Sequence, residues 1–195
     1  DSLVSIAGKN RNVTRLLVGN EVLLRGDLNP DELIAYIREV RSRIEKPVST
    51  AEPWHVWLAH PELGREVDFI AIHILPYWEG MAIDQAVQYV FRRYQEVKDA
   101  NPTKPVVITE VGWPSQGRMR RAAKPSPTAQ AQFIREFLFE ANRRGLDYYL
   151  MEAFDQPWKH GIEGSVGAYW GLFDASRDMK FPLSGPVSGM PDWRL

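Results

Sequence analysis

Pro105-Val106-Val107-Ile108-Thr109-Glu110-Val111-Gly112-Trp113-Pro114-Ser115 is an apolar, β-branched run that meets an acid and then chain breakers. A run of this kind reads as a strand buried on both faces, as in parallel sheets. A carboxylate at the end of such a strand is costly to bury without partners. Chains keep that cost most often where the charge is used. A second stretch has the same form: Val13-Thr14-Arg15-Leu16-Leu17-Val18, then Gly19-Asn20-Glu21. Each strand delivers one glutamate at its C-terminal end. In a barrel of parallel strands that end carries the chemistry.

The rest of the chain alternates strand and helix. Residues 2–8 read as the end of a helix stopped by Gly8. Asn29-Pro30-Asp31-Glu32 is a helix start, with Asn29 at the N-cap, Pro30 at the first position and two acids near the positive end of the dipole. Leu33, Ile37, Val40 and Ile44 follow at helical spacing. Val48 to Ala51 reads as a strand closing on Glu52-Pro53-Trp54, residues 54–60 as a helical turn, and Val67 to His73 as a strand ending before Tyr77-Trp78. Ile83, Ala86, Val87, Val90, Tyr94 and Val97 mark a long amphipathic helix that stops at Asn101-Pro102. Ser126-Pro127 opens another helix, with Phe133, Ile134, Phe137 and Ala141 on one face and Gly145 at its end. Tyr148 to Phe154 reads as the last strand, and Gly171–Asp174 with Lys180–Leu183 as a hairpin. Alternation of this kind gives parallel strands joined by right-handed helical crossovers. The expected domain is 1–183, with 184–195 as a Gly/Pro-rich linker or tail.

Composition narrows the function classes. The chain has 195 residues and a net charge of −1, which argues against a nucleic-acid footprint or a polybasic membrane patch. With no cysteine there is neither a disulfide framework nor a thiolate metal site. The four histidines lack metal-ligand spacing, and no phosphate-binding glycine loop is present. Asp1-Ser2-Leu3 does not open a secretory signal, as expected equally of a mature or excised chain. Seven tryptophans and seven tyrosines are a heavy aromatic load. Rings of this kind fill cores, but flat faces in loops also stack on sugars, and Trp158 in the Pro157-Trp158-Lys159 loop reads as a ligand surface. The basic loop with Arg118, Arg120, Arg121 and Lys124 reads as a solvated face.

Glycoside hydrolysis needs two carboxyls flanking one bond, one to protonate the leaving oxygen and one to attack or to activate water. Glu21 and Glu110 supply such a pair, and the Asn20 amide beside Glu21 is suited to a sugar hydroxyl. Either glutamate alone reads equally well as a surface group at a strand end. Glu52, Glu152 and Asp155 also sit near strand ends, where they would bind hydroxyls or raise the pKa of a catalytic neighbour through like charge.

Leu17-Val18-Gly19-Asn20-Glu21 and Ile108-Thr109-Glu110-Val111-Gly112-Trp113-Pro114-Ser115 resemble the paired motifs of glycoside hydrolase family 17. Phe154-Asp155-Gln156-Pro157-Trp158-Lys159 resembles that family's strand-8 loop, and Ile72-His73 with Tyr77-Trp78 its strand-6 end. The resemblance runs from about residue 2 to about residue 187. It implies a (β/α)8 TIM-barrel type of fold and a retaining glycosidase or transglycosidase acting on β-1,3-glucan. Glu21 would be the acid/base, Glu110 the nucleophile, and Asn20, His73, Tyr77, Trp113, Asp155, Trp158 and Lys159 the substrate-binding residues. It implies no metal and no cofactor. His73 would contact sugar or orient Glu110, unless it is a satisfied core histidine. Retention requires carboxyls about 5–5.5 Å apart.

The match begins near the family's third helix, so the expectation is an incomplete barrel of about five C-terminal β/α units with the first three strands missing. A closed barrel typically takes ~250 residues. The missing half would come from a longer polypeptide or a second copy. The tail from Gly185-Pro186-Val187 resembles the exit from this domain in bacterial proteins fused to a membrane glucan synthase, which implies a periplasmic or extracellular site of action. Two other classes compete. One is a catalytically silent glucan-binding fragment. The other is a small-molecule barrel enzyme such as an aldolase, which would want a lysine within a strand end, and none stands there.

Overall fold

The computed structural model describes residues 1–185. Strands and helices alternate as expected apart from one helix, starting at Pro61, that follows another directly and is not among the expected elements: α1 (Ser2–Lys9), β1 (Leu16–Asn20), α2 (Pro30–Arg43), β2 (Val48–Pro53), α3 (Trp54–Ala59), α4 (Pro61–Glu66), β3 (Ile70–His73), α5 (Ile83–Ala100), β4 (Val106–Val111), α6 (Pro127–Arg144) and β5 (Asp147–Leu150). The strands form one sheet in the order β1-β2-β3-β4-β5. Among the described residues, no helix is long and apolar enough to cross a membrane. The chain divides into two compact units, Asp1–His73 with Arg93–Thr109, and Ile74–Arg92 with the chain from Glu110 on. The division runs through α5 and β4.

In the first unit, β1 pairs with β2 in parallel, Leu16 facing Val48 and Leu17 facing Ser49. β2 pairs with β3 in parallel, Ala51 facing Ala71 and Pro53 facing His73. The Ile70 N–H donates to Pro105 O (2.8 Å), tying β3 to the start of β4. Ala51, Phe69, Ala71 and Val107 form a buried cluster. α2 starts as its sequence dictates: Asn29 Oδ1 accepts from the Glu32 N–H, and Glu32 Oε2 accepts from the Asn29 N–H. Leu33, Ile34 and Ile37 are its buried face. Each such side chain taken from water contributes roughly 1.5–3 kcal/mol. Trp57 is buried, with Nε1 donating to Ala71 O (2.8 Å).

In the second unit, the Met151 N–H donates to Val111 O (2.8 Å), setting the end of β5 against the end of β4. α6 is capped by Ser126, whose hydroxyl accepts from the Ala129 N–H (3.0 Å). It ends at Gly145, whose φ of 63° is left-handed and suits glycine. Phe133, Ile134, Phe137 and Ala141 are buried as expected. The Phe137 ring stacks at 5.8 Å on Phe91 and at 6.2 Å on Phe133.

Three expectations change. β1 covers Leu16–Asn20 instead of 13–18, because Thr14 and Arg15 are exposed and the chain pairs only once Leu16 is buried. β3 and β5 are shorter than 67–73 and 148–154. The 171–183 hairpin reduces to single bridges, Phe173 with Phe154 and with Met179. Asp174 Oδ1 accepts from the Ser176 and Asp178 N–H groups, closing a tight turn in place of a ladder. The linker expected at 184–195 lies, from residue 186 on, outside the described residues.

Candidate active site

Glu21 stands where β1 loses its register. The pairing with β2 shifts between Leu17 and Asn20. Gly19 there has φ 91°, a conformation glycine adopts without penalty. Asn20 is exposed at the last position of the strand. Glu21 itself has φ 55°, in the left-handed region, and its N–H donates to Ala51 O (2.7 Å). His73, at the end of β3 and 2% exposed, places Nδ1 2.8 Å from Glu21 Oε1. The carboxylate can only accept this hydrogen bond, whereas the protonated acid can donate it to a neutral ring. The contact therefore serves both states of an acid/base, and the glutamate that His73 orients within this unit is Glu21.

Glu52, at the end of β2, is fully buried. Its two oxygens accept from the Leu23 N–H (2.9 Å) and the Leu24 N–H (3.3 Å). Burial pushes its pKa up, against the pull of those two donors, and the nearby Glu21 charge pushes the same way as burial. With both oxygens occupied and no exposure, Glu52 is not a hydroxyl-binding group. The like-charge alternative drawn from sequence acts on Glu52 itself.

In the second unit, Glu110 lies on β4 one residue before its end and is partly exposed. Its backbone carbonyl accepts from the Ile74 N–H (2.9 Å). Two residues expected to stack on sugar are corrected. Tyr77 and Trp113 are both fully buried, edge to face at 6.3 Å. Trp113 also packs on Phe133 at 5.9 Å, and the Tyr77 hydroxyl donates to Arg118 O (2.8 Å). They pack into the core of the second unit instead of offering open faces. Gly112 has a packing reason of its own, since a Cβ there would collide with Met151 O.

Asp155 is also reassigned. Its Oδ1 accepts from Lys180 Nζ (2.6 Å) and the Gly171 N–H (2.9 Å), and the pair is nearly buried. Lys180 Nζ also donates to Ser115 Oγ (2.9 Å). Burial holds the Lys180 pKa below its usual value despite Asp155. This network ties the Trp113-Pro114-Ser115 loop to the strand-8-type loop and leaves Asp155 no oxygen aimed at a ligand through Oδ1. Lys159 Nζ donates to Glu152 Oε2 (2.7 Å), which also accepts from Gln156 Nε2. Trp158 is 64% exposed, with Nε1 bonded to Gln156 Oε1 (3.0 Å) and Lys159 5.8 Å from the centre of its ring. It keeps the open face that its loop position suggested. Sequence reasoning missed Lys180 as a partner, because nothing local signals a contact 25 residues away.

Residues 2–171 match the BtgE/BtgC glycoside hydrolase domain. The chain belongs to this family. A Schizosaccharomyces pombe glucan 1,3-beta-glucosidase is 31% identical over 89% of the chain, which spans 58% of that relative's length. A crystal structure of a glycoside hydrolase family 17 beta-1,3-glucanosyltransferase from Rhizomucor miehei is 31% identical, with a TM-score of 0.85 over 93% of this chain and 69% of its own. An active-site mutant of the Rhizomucor miehei beta-1,3-glucanosyltransferase in complex with laminaritriose is 32% identical, with a TM-score of 0.83 over 91% and 66%. The five-stranded β/α arrangement of this BtgE/BtgC-type chain is thus the family-17 barrel type of fold. These relatives are fungal, so the expected bacterial origin gains no support from them.

Proposed function

We propose that the chain carries the catalytic groups of a retaining glycosidase or transglycosidase acting on β-1,3-glucan. The observation that supports this most is the Glu21–His73 pair at the ends of β1 and β3, in a chain whose relatives are named as glucanases and glucanosyltransferases. Glu110 attacks the anomeric carbon and forms a glycosyl-enzyme. Glu21 gives its proton to the departing sugar oxygen, then removes one from the incoming water or glucan hydroxyl. Trp158 offers an apolar face to a sugar ring, and the Asn20 amide a donor to a hydroxyl. The polymer does not cross membranes unaided, which supports action in the periplasm or outside the cell. Glu110→Gln should abolish turnover of every β-1,3-glucan substrate. Glu21→Gln should spare substrates whose leaving group needs no proton.

Because the chain spans 58% of the Schizosaccharomyces pombe relative, a second reading stands: a glucan-binding piece without turnover of its own. Hydrolysis and pull-down assays on one insoluble β-1,3-glucan separate the two. Binding with no product favours the second, and product formation lost in Glu110→Gln favours the first.

A further inference from the structure

Residues 21–27 form a tight turn directly after the acid/base. The Arg25 N–H donates to Glu21 O (3.0 Å), the Asp27 N–H to Val22 O (2.9 Å) and the Gly26 N–H to Leu23 O (3.1 Å). The first N–H groups of such a helical turn have no partner within it. An N-cap side chain normally supplies the acceptor. Here the acceptor comes from another strand: the buried Glu52 carboxyl takes the N–H groups of both Leu23 and Leu24. The residue before it, Ala51, takes the N–H of Glu21 itself. The end of β2 therefore grips the Glu21 segment at three backbone N–H groups, those of Glu21, Leu23 and Leu24. A buried carboxylate is an expensive way to cap a turn, and this one caps the turn that carries Glu21.

We propose that Glu52 is a positioning residue for the acid/base: its buried carboxylate fixes the 21–27 turn and so sets where the Glu21 carboxyl sits against His73. The proposal rests on the reading of Glu21 as acid/base. Glu52 does not reach substrate, since it is fully buried and both oxygens are taken.

Glu52→Gln tests this in the full chain with little change of volume. A glutamine keeps one acceptor oxygen and sets an NH2 against the other N–H. The Leu23 or Leu24 amide should then exchange hydrogen about tenfold faster, or more. The Leu16 and Ile70 amides, held by Pro47 O and Pro105 O, should keep their protection. On a β-1,3-glucan oligosaccharide, kcat should fall about 10- to 100-fold with KM within about twofold. The glycosylation burst with a dinitrophenyl β-glucoside, whose leaving group needs no proton, should fall much less. Glu52→Asp, which keeps two acceptor oxygens, should recover part of the loss.

Unchanged exchange at both Leu23 and Leu24 overturns the proposal, whether or not the chain turns over. Equal losses on the two substrates also overturn it, because they indicate general damage. Failure of the acid/base reading looks different: Glu21→Gln would then keep full activity on the oligosaccharide.

Discussion

Glu21 and His73 share a hydrogen bond that suits either protonation state, and product analysis reads its use. Azide should rescue Glu21→Gln on an activated substrate and yield a β-glycosyl azide, with configuration retained. An α-product would contradict the double displacement. Glu136 on α6 offers a separate test in pH. Burial raises its pKa above the ordinary 4.5, opposed by the Gln132 Nε2 bond (3.1 Å). A raised folded-state value means that the native chain binds the proton more tightly than the unfolded chain. That stabilisation is complete below pH 4.5 and is lost as pH rises through the folded value. Glu136→Gln should therefore shrink the fall in urea midpoint between pH 4.5 and neutrality. An unchanged fall would show that Glu136 does not couple to folding.

Elements whose limits are set by local chemistry were legible in the sequence. The Asn29-Pro30 start of α2 and the Ser126 and Gly145 ends of α6 stand where read, since each cap is decided within four residues. Asn29→Ala removes the Oδ1 acceptor of the Glu32 N–H, while the residue-29 N–H bond to Glu32 Oε2 remains, and should cost about 1 kcal/mol in denaturant unfolding. β4 was legible because a β-branched run tolerates little else. What failed was whatever depends on distant partners. Nothing within the Thr-Glu-x-Gly-Trp-Pro-Ser motif says that Trp113 is buried against Tyr77 and Phe133, and nothing local says that Asp155 pairs with Lys180. The motif shows residue types, while packing decides that the Trp113 ring is buried. Gly112 shows the same dependence. Gly112→Ala places a methyl against Met151 O and should lower the unfolding free energy by about 1–3 kcal/mol or more, as overpacking of a rigid site does. A variant as stable as the parent would mean that β5 yields there.

For the whole molecule, the ends of the sheet matter most. Central strand residues such as Ile70 and Val107 are buried, whereas Leu17 on β1 and Tyr149 on β5 are 38% and 59% exposed. Val18 and Leu150 are only partly covered. Among the described residues the terminal strands β1 and β5 each have one neighbour in the sheet order, and edges of this kind tend to recruit other chains. Expressed alone, the chain should sediment as an oligomer or be poorly soluble. It should also cleave laminarin weakly, as expected of a chain that spans 58% of the length of the Schizosaccharomyces pombe relative. A monodisperse monomer with ordinary glucanase rates would refute both statements.

The φ of 55° at Glu21 has an evolutionary reading. A side chain with a Cβ costs about 1 kcal/mol in that conformation, where glycine and asparagine sit more easily. Were the carboxyl unused, drift would be expected to settle there on a residue that melts later. Glu21→Gly and Glu21→Asn should accordingly raise the thermal midpoint of the chain while removing its turnover of unactivated β-1,3-glucan. A lineage that had become a mere glucan holder should show that exchange early. This chain has glutamate at a left-handed φ that glycine or asparagine would adopt more easily.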